Sequence, residues 1–201
     1  RSLPGLILMS EAMGIDTLIS TSDKDLAQLV GPGITCVNTM SNETLDAAGV
    51  SSKFGVHPDQ MLDYLALIGD SVDNVPGVPK VGPKTAAKWL NQYGDLDGII
   101  AHANEIPGAV GENLRGALEW LPKGRQLLAI KTDCVLPVEP GDLRFESVDP
   151  AKQRALFERF EFKSWLRDLA GGNGSPASSA ADAIAIKAAR DEVGRRFEPE
   201  P

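Results

Sequence analysis

Cysteine and histidine are scarce in this chain of 201 residues, which holds two of each. Cys36 and Cys134 stand far apart in sequence and in apolar surroundings, so they read as reduced core residues and not as a disulfide. Neither His57 nor His102 has a second His or a Cys at zinc-ligand spacing, which excludes a zinc finger or a comparable structural zinc site. No apolar run approaches the roughly 18 residues that would require a membrane-spanning helix. The run Leu3 to Met9 is apolar but short, and it lacks the layout of a signal peptide. These absences lead us to expect a cytoplasmic protein with no membrane partner. There is no internal repeat, and an opening Arg1 in place of Met suggests a piece of a longer chain.

What remains is ordinary globular composition, 42% hydrophobic and 24% charged, enough for one domain or two small ones. The net charge of −8 argues at first against a nucleic-acid partner. Its distribution along the chain argues the other way. Residues 11–75 carry ten acids (Glu11, Asp16, Asp23, Asp25, Glu43, Asp46, Asp59, Asp63, Asp70, Asp73) against Lys24 and Lys53. Residues 76–94 carry Lys80, Lys84 and Lys88 and no acid. An acidic site beside a basic segment suits a metal-dependent enzyme that acts on a phosphate backbone.

Short β-prone runs at Asp16–Ser20 and Ile34–Asn38 flank a short helix at Asp25–Val30, which Gly31-Pro32-Gly33 stops. This predicts the edge of an α/β sheet covered by helices. Pro58 suits a first helical position, and Met61, Leu62, Leu65 and Ile68 share a face, so a helix is predicted over 58–68 with Gly69 as its stop. Turn, helix and turn follow from Pro76, with a helix over Lys84–Tyr93. Further helices are predicted near 95–103, 111–129 and 150–169, with a β-prone stretch near 133–138. Residues 171–180 read as a flexible linker and 181–201 as a weak, coreless tail.

Two acid pairs carry the candidate chemistry. Asp23 and Asp25, in Thr21-Ser22-Asp23-Lys24-Asp25, follow the first strand, where ligands collect in open α/β sheets. Two carboxylates one residue apart can face a hard cation, although Asp23 can equally cap the helix that follows. Asp70 and Asp73 lie in Gly69-Asp70-Ser71-Val72-Asp73-Asn74, where one turn can present both; a solvated polar loop is the alternative. Directly afterwards, Val75-Pro76-Gly77-Val78-Pro79-Lys80-Val81-Gly82-Pro83-Lys84-Thr85-Ala86 has the hydrophobic-Gly-hydrophobic pattern of a helix–hairpin–helix turn. Gly77 and Gly82 let backbone approach a phosphate, N–H groups at the start of the helix can face it, and Lys84 and Lys88 share one helix face. The alternative there is an ordinary helical connection with a solvated lysine face.

Together these strings resemble the 5′-nuclease domain of bacterial DNA polymerase I, and the later Ile130-Lys131-Thr132-Asp133 does so too. The likeness runs from about residue 11 to about residue 170 and covers the C-terminal portion of that domain. It implies the C-terminal part of a PIN-like, Rossmann-like α/β nuclease core over 1–68. A helix–three-turn–helix DNA-binding subdomain and closing segment would fill 69–170, with a linker and tail over 171–201. It implies 5′→3′ exonuclease or flap-endonuclease activity in DNA replication and repair, on duplex DNA with a 5′ end, nick or flap. A polymerase domain would follow in the same chain. Asp23, Asp25, Asp70 and Asp73 match two pairs of ligands for two Mg²⁺ or Mn²⁺ ions. Gly77, Val78, Lys80, Gly82, Lys84, Thr85 and Lys88 match the DNA grip, and Ser71 with hairpin carbonyls matches a K⁺ site. The family's remaining metal ligands precede the Asp-x-Asp pair, whereas residues 1–10 contain no acid. The helical arch has no counterpart either. The resemblance therefore implies part of an active site, with a DNA-binding fragment that lacks catalysis as the alternative.

Overall fold

The computed structural model describes residues 3–144 and 149–170. The expected linker and tail over 171–201 lie outside the described residues. The chain divides into two compact units, one reaching Gly141 and the other beginning at Asp142.

The first unit opens with α1 (Leu3–Ala12), formed by the apolar run near the start, and it buries Ile7. Strand β1 (Thr17–Ser20) pairs in parallel with β2 (Ile34–Asn38), Thr17 opposite Ile34 and Ser20 opposite Val37. The crossover between them is a tight 3₁₀ turn over Lys24–Leu29 that buries Ala27 and Leu29. Strand β3 (Glu43–Leu45) returns antiparallel on β2, giving the order β1-β2-β3. Helix α2 (Ala47–Phe54) starts where the Asp46 carboxylate accepts the Gly49 N–H at 2.8 Å, and it ends on Gly55 at φ 74°.

Helix α3 (Met61–Ile68) enters through a 3₁₀ turn, Pro58–Gln60, and is the hub of the unit. Met61, Asp63, Tyr64, Leu65, Ala66 and Leu67 are all buried, so nearly its whole circumference is covered. A carboxylate in that position needs partners. Asp63 Oδ2 accepts the Leu96 N–H at 2.9 Å, and Arg125 Nε lies 2.6 Å from Oδ1. Burial pushes the Asp63 pKa up, against the opposing pull of that N–H and of the Arg125 charge. The contact ties α3 to α5 (Leu96–Ala101) and α7 (Leu121–Leu128).

Beyond α3 lie a short hairpin of two-residue strands, β4 (Gly69–Asp70) with β5 (Val75–Pro76), and then α4 (Pro83–Tyr93). The helix expected over 111–129 is two helices, α6 (Gly108–Ala117) and α7, separated by a turn at 118–120. Pro122 at the second position of α7 explains the break, since its ring suits a helix start and not an interior. The β-prone run near 133–138 makes no strand among the described residues, because it finds no partner strand. In the second unit, the helix expected over 150–169 is α8 (Pro150–Arg159) and α9 (Lys163–Ala170). Glu161 at φ 56° reverses the chain between them, and Phe157, Phe162 and Trp165 pack ring against ring.

Removing the carboxylate with Asp63→Ala strands a buried N–H and a half-buried guanidinium, so it should destabilise by about 3 kcal/mol in urea unfolding. Asp97→Ala, which removes only the exposed second partner of Arg125 at 3.4 Å, should change stability by under about 0.5 kcal/mol.

Candidate metal centre and nucleic-acid interface

The loop after β1 and the β4–β5 hairpin meet in space. Carboxylate oxygens of Asp25, Asp70 and Asp73 all lie within 4.8 Å of one another. Asp73 is exposed, whereas Asp70 is buried at 4% exposure. The Asp70 Oδ1 accepts the Val72 N–H at 2.8 Å and the Asp73 N–H at 3.4 Å, so the turn wraps around the carboxylate it presents. Asp23 serves the cluster indirectly. Its Oδ1 accepts the Asp25 N–H at 3.0 Å, capping the 3₁₀ turn, while its own N–H donates to Thr21 Oγ1 at 3.0 Å. Ser71 sits exposed on the turn between Asp70 and Asp73.

A residue that sequence reasoning gave no role completes the cluster. Lys24 Nζ donates to Asp70 Oδ2 and lies 3.5 Å from Asp25 Oδ1. The Lys24 hydrogen bond is the main reason the Asp70 pKa falls below the ordinary aspartate value, outweighing burial. Burial is the main reason the Asp25 pKa rises, with the Lys24 charge opposing and the Asp23 and Asp70 charges adding. For Lys24, burial pulls the pKa down, but its two carboxylate partners together outweigh that pull and hold it above the ordinary lysine value.

The hairpin leading to α4 is locked to this cluster by backbone contact. Gly69 and Gly77 cross so closely that a Cβ on Gly77 would lie 2.3 Å from Ile68 C and 2.4 Å from Gly69 N. The Val78 side chain is buried in the core, its N–H donates to Leu67 O at 2.8 Å and its carbonyl accepts the Val81 N–H at 3.0 Å. That makes Val78 a support for the turn. Pro79 and Lys80 are the central residues of the turn closed by the Val78–Val81 bond, and Lys80 adopts φ 65° with its side chain exposed. Two residues from outside the motif hold the turn in place: Trp120 Nε1 donates to Pro76 O and Asn113 Nδ2 to Pro79 O, both at 2.7 Å. No spacing signal in the sequence marks either residue. Gly82 caps α4 without a side-chain bond, and a Cβ there would meet nothing within 4 Å, so the helix start is open. Lys84 and Lys88 are exposed on α4, and Thr85 is half-buried.

Gly77→Ala should cost about 3 kcal/mol in denaturant unfolding, because backbone and not a flexible side chain occupies the space. Gly82→Ala should cost under about 1 kcal/mol. Acidification gives a second check. The folded pKa of Asp70 lies below its unfolded value near 4. Its stabilising contribution is therefore complete above about pH 4 and fades as pH falls through the lower folded value. Thermal melts should show Asp70→Asn well below the wild type at pH 7, with the gap closing as the pH falls below the unfolded value and through the lower folded one.

Known proteins resemble this chain in sequence and in fold. Residues 56–151 match the family described as 5′–3′ exonuclease, C-terminal SAM fold. DNA polymerase I of Pseudomonas aeruginosa is 39% identical over 204 residues, covering 92% of this chain and 22% of that protein. The 5′–3′ exonuclease of Aquifex aeolicus is 36% identical over 156 residues, covering 78% of this chain and 53% of that one. The chain thus spans about a fifth to a half of the length of these curated relatives. In fold it resembles a T5 5′-exonuclease solved with zinc, at TM-score 0.56 and 20% identity, covering 62% of this chain and 48% of that one. It also resembles a T5 flap endonuclease solved with DNA and metal ions, at TM-score 0.55 and 20% identity, covering 61% and 47%. Among the described residues no helix is long and apolar enough to cross a membrane. Relatives named DNA polymerase I and 5′–3′ exonuclease thus match most of this chain's length, and residues 56–151 belong to the 5′–3′ exonuclease C-terminal family.

Proposed function

We propose that residues 11–94 supply part of a divalent-metal centre and the adjoining DNA grip of a 5′→3′ exonuclease or flap endonuclease. The substrate would be duplex DNA with a 5′ end, nick or flap, and a polymerase domain would follow, as in the relatives named DNA polymerase I. In this reading the core contribution ends near residue 68 and the helix–three-turn–helix subdomain begins at the β4–β5 hairpin. The observation that carries it is the convergence of Asp25, Asp70 and Asp73 within 4.8 Å beside an open helix start bearing exposed lysines.

The cluster fits a hard divalent cation. Its donors are all carboxylate oxygens, and Asp25 Oδ1 is a buried acceptor with no hydrogen-bond donor. Asp25, Asp70 and Asp73 would hold Mg²⁺ or Mn²⁺, with Asp23 fixing the backbone of Asp25 and adding charge at the rim. Bound there, two such ions would activate a water and stabilise negative charge on the scissile phosphate. For K⁺, the carbonyls of Pro76, Val78 and Pro79 each accept one hydrogen bond, from Trp120, Val81 and Asn113, and no step is derived through that ion.

On the DNA side, the Lys84 N–H at the start of α4 and the cations Lys80, Lys84 and Lys88 would meet backbone phosphates, giving a grip with little sequence preference. Lys80 is informative because a lysine at φ 65° costs about 1 kcal/mol relative to glycine. Lys80→Gly should therefore raise stability by somewhat under about 1 kcal/mol while weakening duplex binding.

Fluorescence anisotropy with a nicked duplex, together with a flap-cleavage assay in Mg²⁺ or Mn²⁺, tests the proposal. Lys84→Ala with Lys88→Ala should flatten the log affinity against log salt slope by about 0.9 per lost contact. In a chain that also carries the ligands preceding the Asp-x-Asp pair, Asp70→Ala should lower metal-dependent cleavage by about 100-fold or more while duplex binding persists. An unchanged salt slope would place the grip elsewhere. Duplex binding with no metal-dependent cleavage even by that extended chain would leave a DNA-binding module, the reading that the open α4 start favours on its own.

A further inference from the structure

The best-engaged cation in the described acidic cluster belongs to the protein itself. Asp70 is buried, and its Oδ2 accepts from Lys24 Nζ. An unpaired carboxylate at such a position is strongly disfavoured, and two further carboxylates stand within 4.8 Å of it. Lys24 is half-exposed, 39% by side chain, so its amine reaches the cluster from the solvent side. It is also the residue between the two aspartates of the Asp-x-Asp pair, tethered at the start of the 3₁₀ turn. Its two contacts are unequal: a hydrogen bond to Asp70, and an approach of 3.5 Å to Asp25 Oδ1 that leaves this buried oxygen without a donor.

We infer that Lys24 is a resident counter-cation of the Asp25–Asp70 pair, which holds the carboxylates together in the metal-free protein and swings out to solvent when a divalent ion enters. The inference rests on the metal reading above and adds a competitor to it. A monovalent ammonium and a divalent ion cannot both sit against the Asp70 carboxylate without strong mutual repulsion. The amine can leave because its stem already lies near water, whereas the aspartates cannot. The occupied form lowers apparent metal affinity by the fraction of molecules in which the site is free. In return, the fold tolerates converging acids before any metal arrives. Lys24 is thus a positioning residue, which acts on the ligands and not on substrate.

The test uses the whole chain and three readouts: Mn²⁺ binding by electron paramagnetic resonance, the metal-free Tm, and acylation of lysine amines by an N-hydroxysuccinimide ester read by mass spectrometry. Lys84 serves as the exposed internal reference. Lys24 should label slowly without metal and severalfold faster with saturating Mn²⁺, while Lys84 labelling stays constant. Lys24→Met should lower the metal-free Tm by about 2–4 °C and tighten Mn²⁺ binding by about fivefold. Weaker Mn²⁺ binding by Lys24→Met would overturn the inference, as that result makes the lysine a helper of the metal. Saturable Mn²⁺ binding that is lost in Asp70→Asn but leaves Lys24 labelling unchanged would overturn the inference alone and keep the metal reading. A flat Mn²⁺ titration in both the wild type and Lys24→Met would remove the metal reading and the inference together.

Discussion

The backbone crossing of Gly69 over Gly77 is the constraint on which both halves of the site depend. Nothing larger than hydrogen fits at Gly77, since Ile68 and Gly69 main-chain atoms already fill the place of a Cβ. Gly69 also stands at φ 76°, a conformation that a side chain resists. The crossing ends α3 abruptly and sends Asp70 toward the β1 loop. At the same time it starts the turn that leads to the open end of α4. Acidic cluster and cationic hairpin are therefore the two faces of one short hairpin, fixed to the most deeply buried helix of the unit. Val78 adds a second fastening through the Leu67 carbonyl, and Trp120 and Asn113 add a third and fourth from the α6–α7 region. A site assembled this way inherits the rigidity of α3, which is the requirement for holding charges in fixed relation to a phosphate.

The electrostatics follow from the same arrangement. An overall charge of −8 would repel DNA if it were spread evenly. Much of the acid near the site is instead capped, paired or gathered where a cation can meet it, and the segment that leads out of the hairpin carries lysine alone. Within the acidic half, each carboxylate meets a different environment. Asp70 is buried and donor-rich, Asp25 is partly buried with one oxygen unserved, Asp73 is exposed, and Asp23 is engaged with backbone. Chemically identical side chains thus acquire opposite pKa displacements, Asp70 downward and Asp25 upward, through burial and donors rather than through distance along the chain.

Much of this was legible in the sequence where a local signal was strong. Pro58 and Gly69 bounded a helical segment correctly, the helix expected over Lys84–Tyr93 is α4, and the β-branched run Ile34–Asn38 became β2. Asp25, Asp70 and Asp73 were legible as candidates because they belong to close acid pairs, one following a strand and one following a helix stop. Asp23 carried both readings from the start, and the structure shows it capping the 3₁₀ turn. Other elements left weaker traces. Helix α2 lacks a clear apolar face and contains Gly49, yet Asp46 caps it and a Cβ at Gly49 would press on Thr44 O at 2.7 Å. The amphipathic stripe over 150–169 concealed a reversal at Glu161, because apolar spacing continues across the break while the backbone does not. Asp63 was hidden for a different reason. Its partners Leu96 and Arg125 lie 33 and 62 residues away, and only tertiary packing turns a charge on an apolar helix into a cross-link.

Lys80 bears on how far function and stability pull apart in this hairpin. Lys84 and Lys88 sit on a regular helix, where a lysine costs almost nothing and its exposure needs no explanation. Lys80 occupies the third position of a turn whose geometry favours glycine. Packing does not select it, because the side chain is exposed. Folding does not select it, because the backbone conformation is disfavoured for any residue with a Cβ. A cation at a turn position disfavoured for any residue with a Cβ is accounted for by the proposed contact with an anion, and not by a merely solvated face. The same logic separates the three lysines by informativeness. The two on α4 are compatible with either a DNA grip or an ordinary polar helix, and the one in the turn favours the grip.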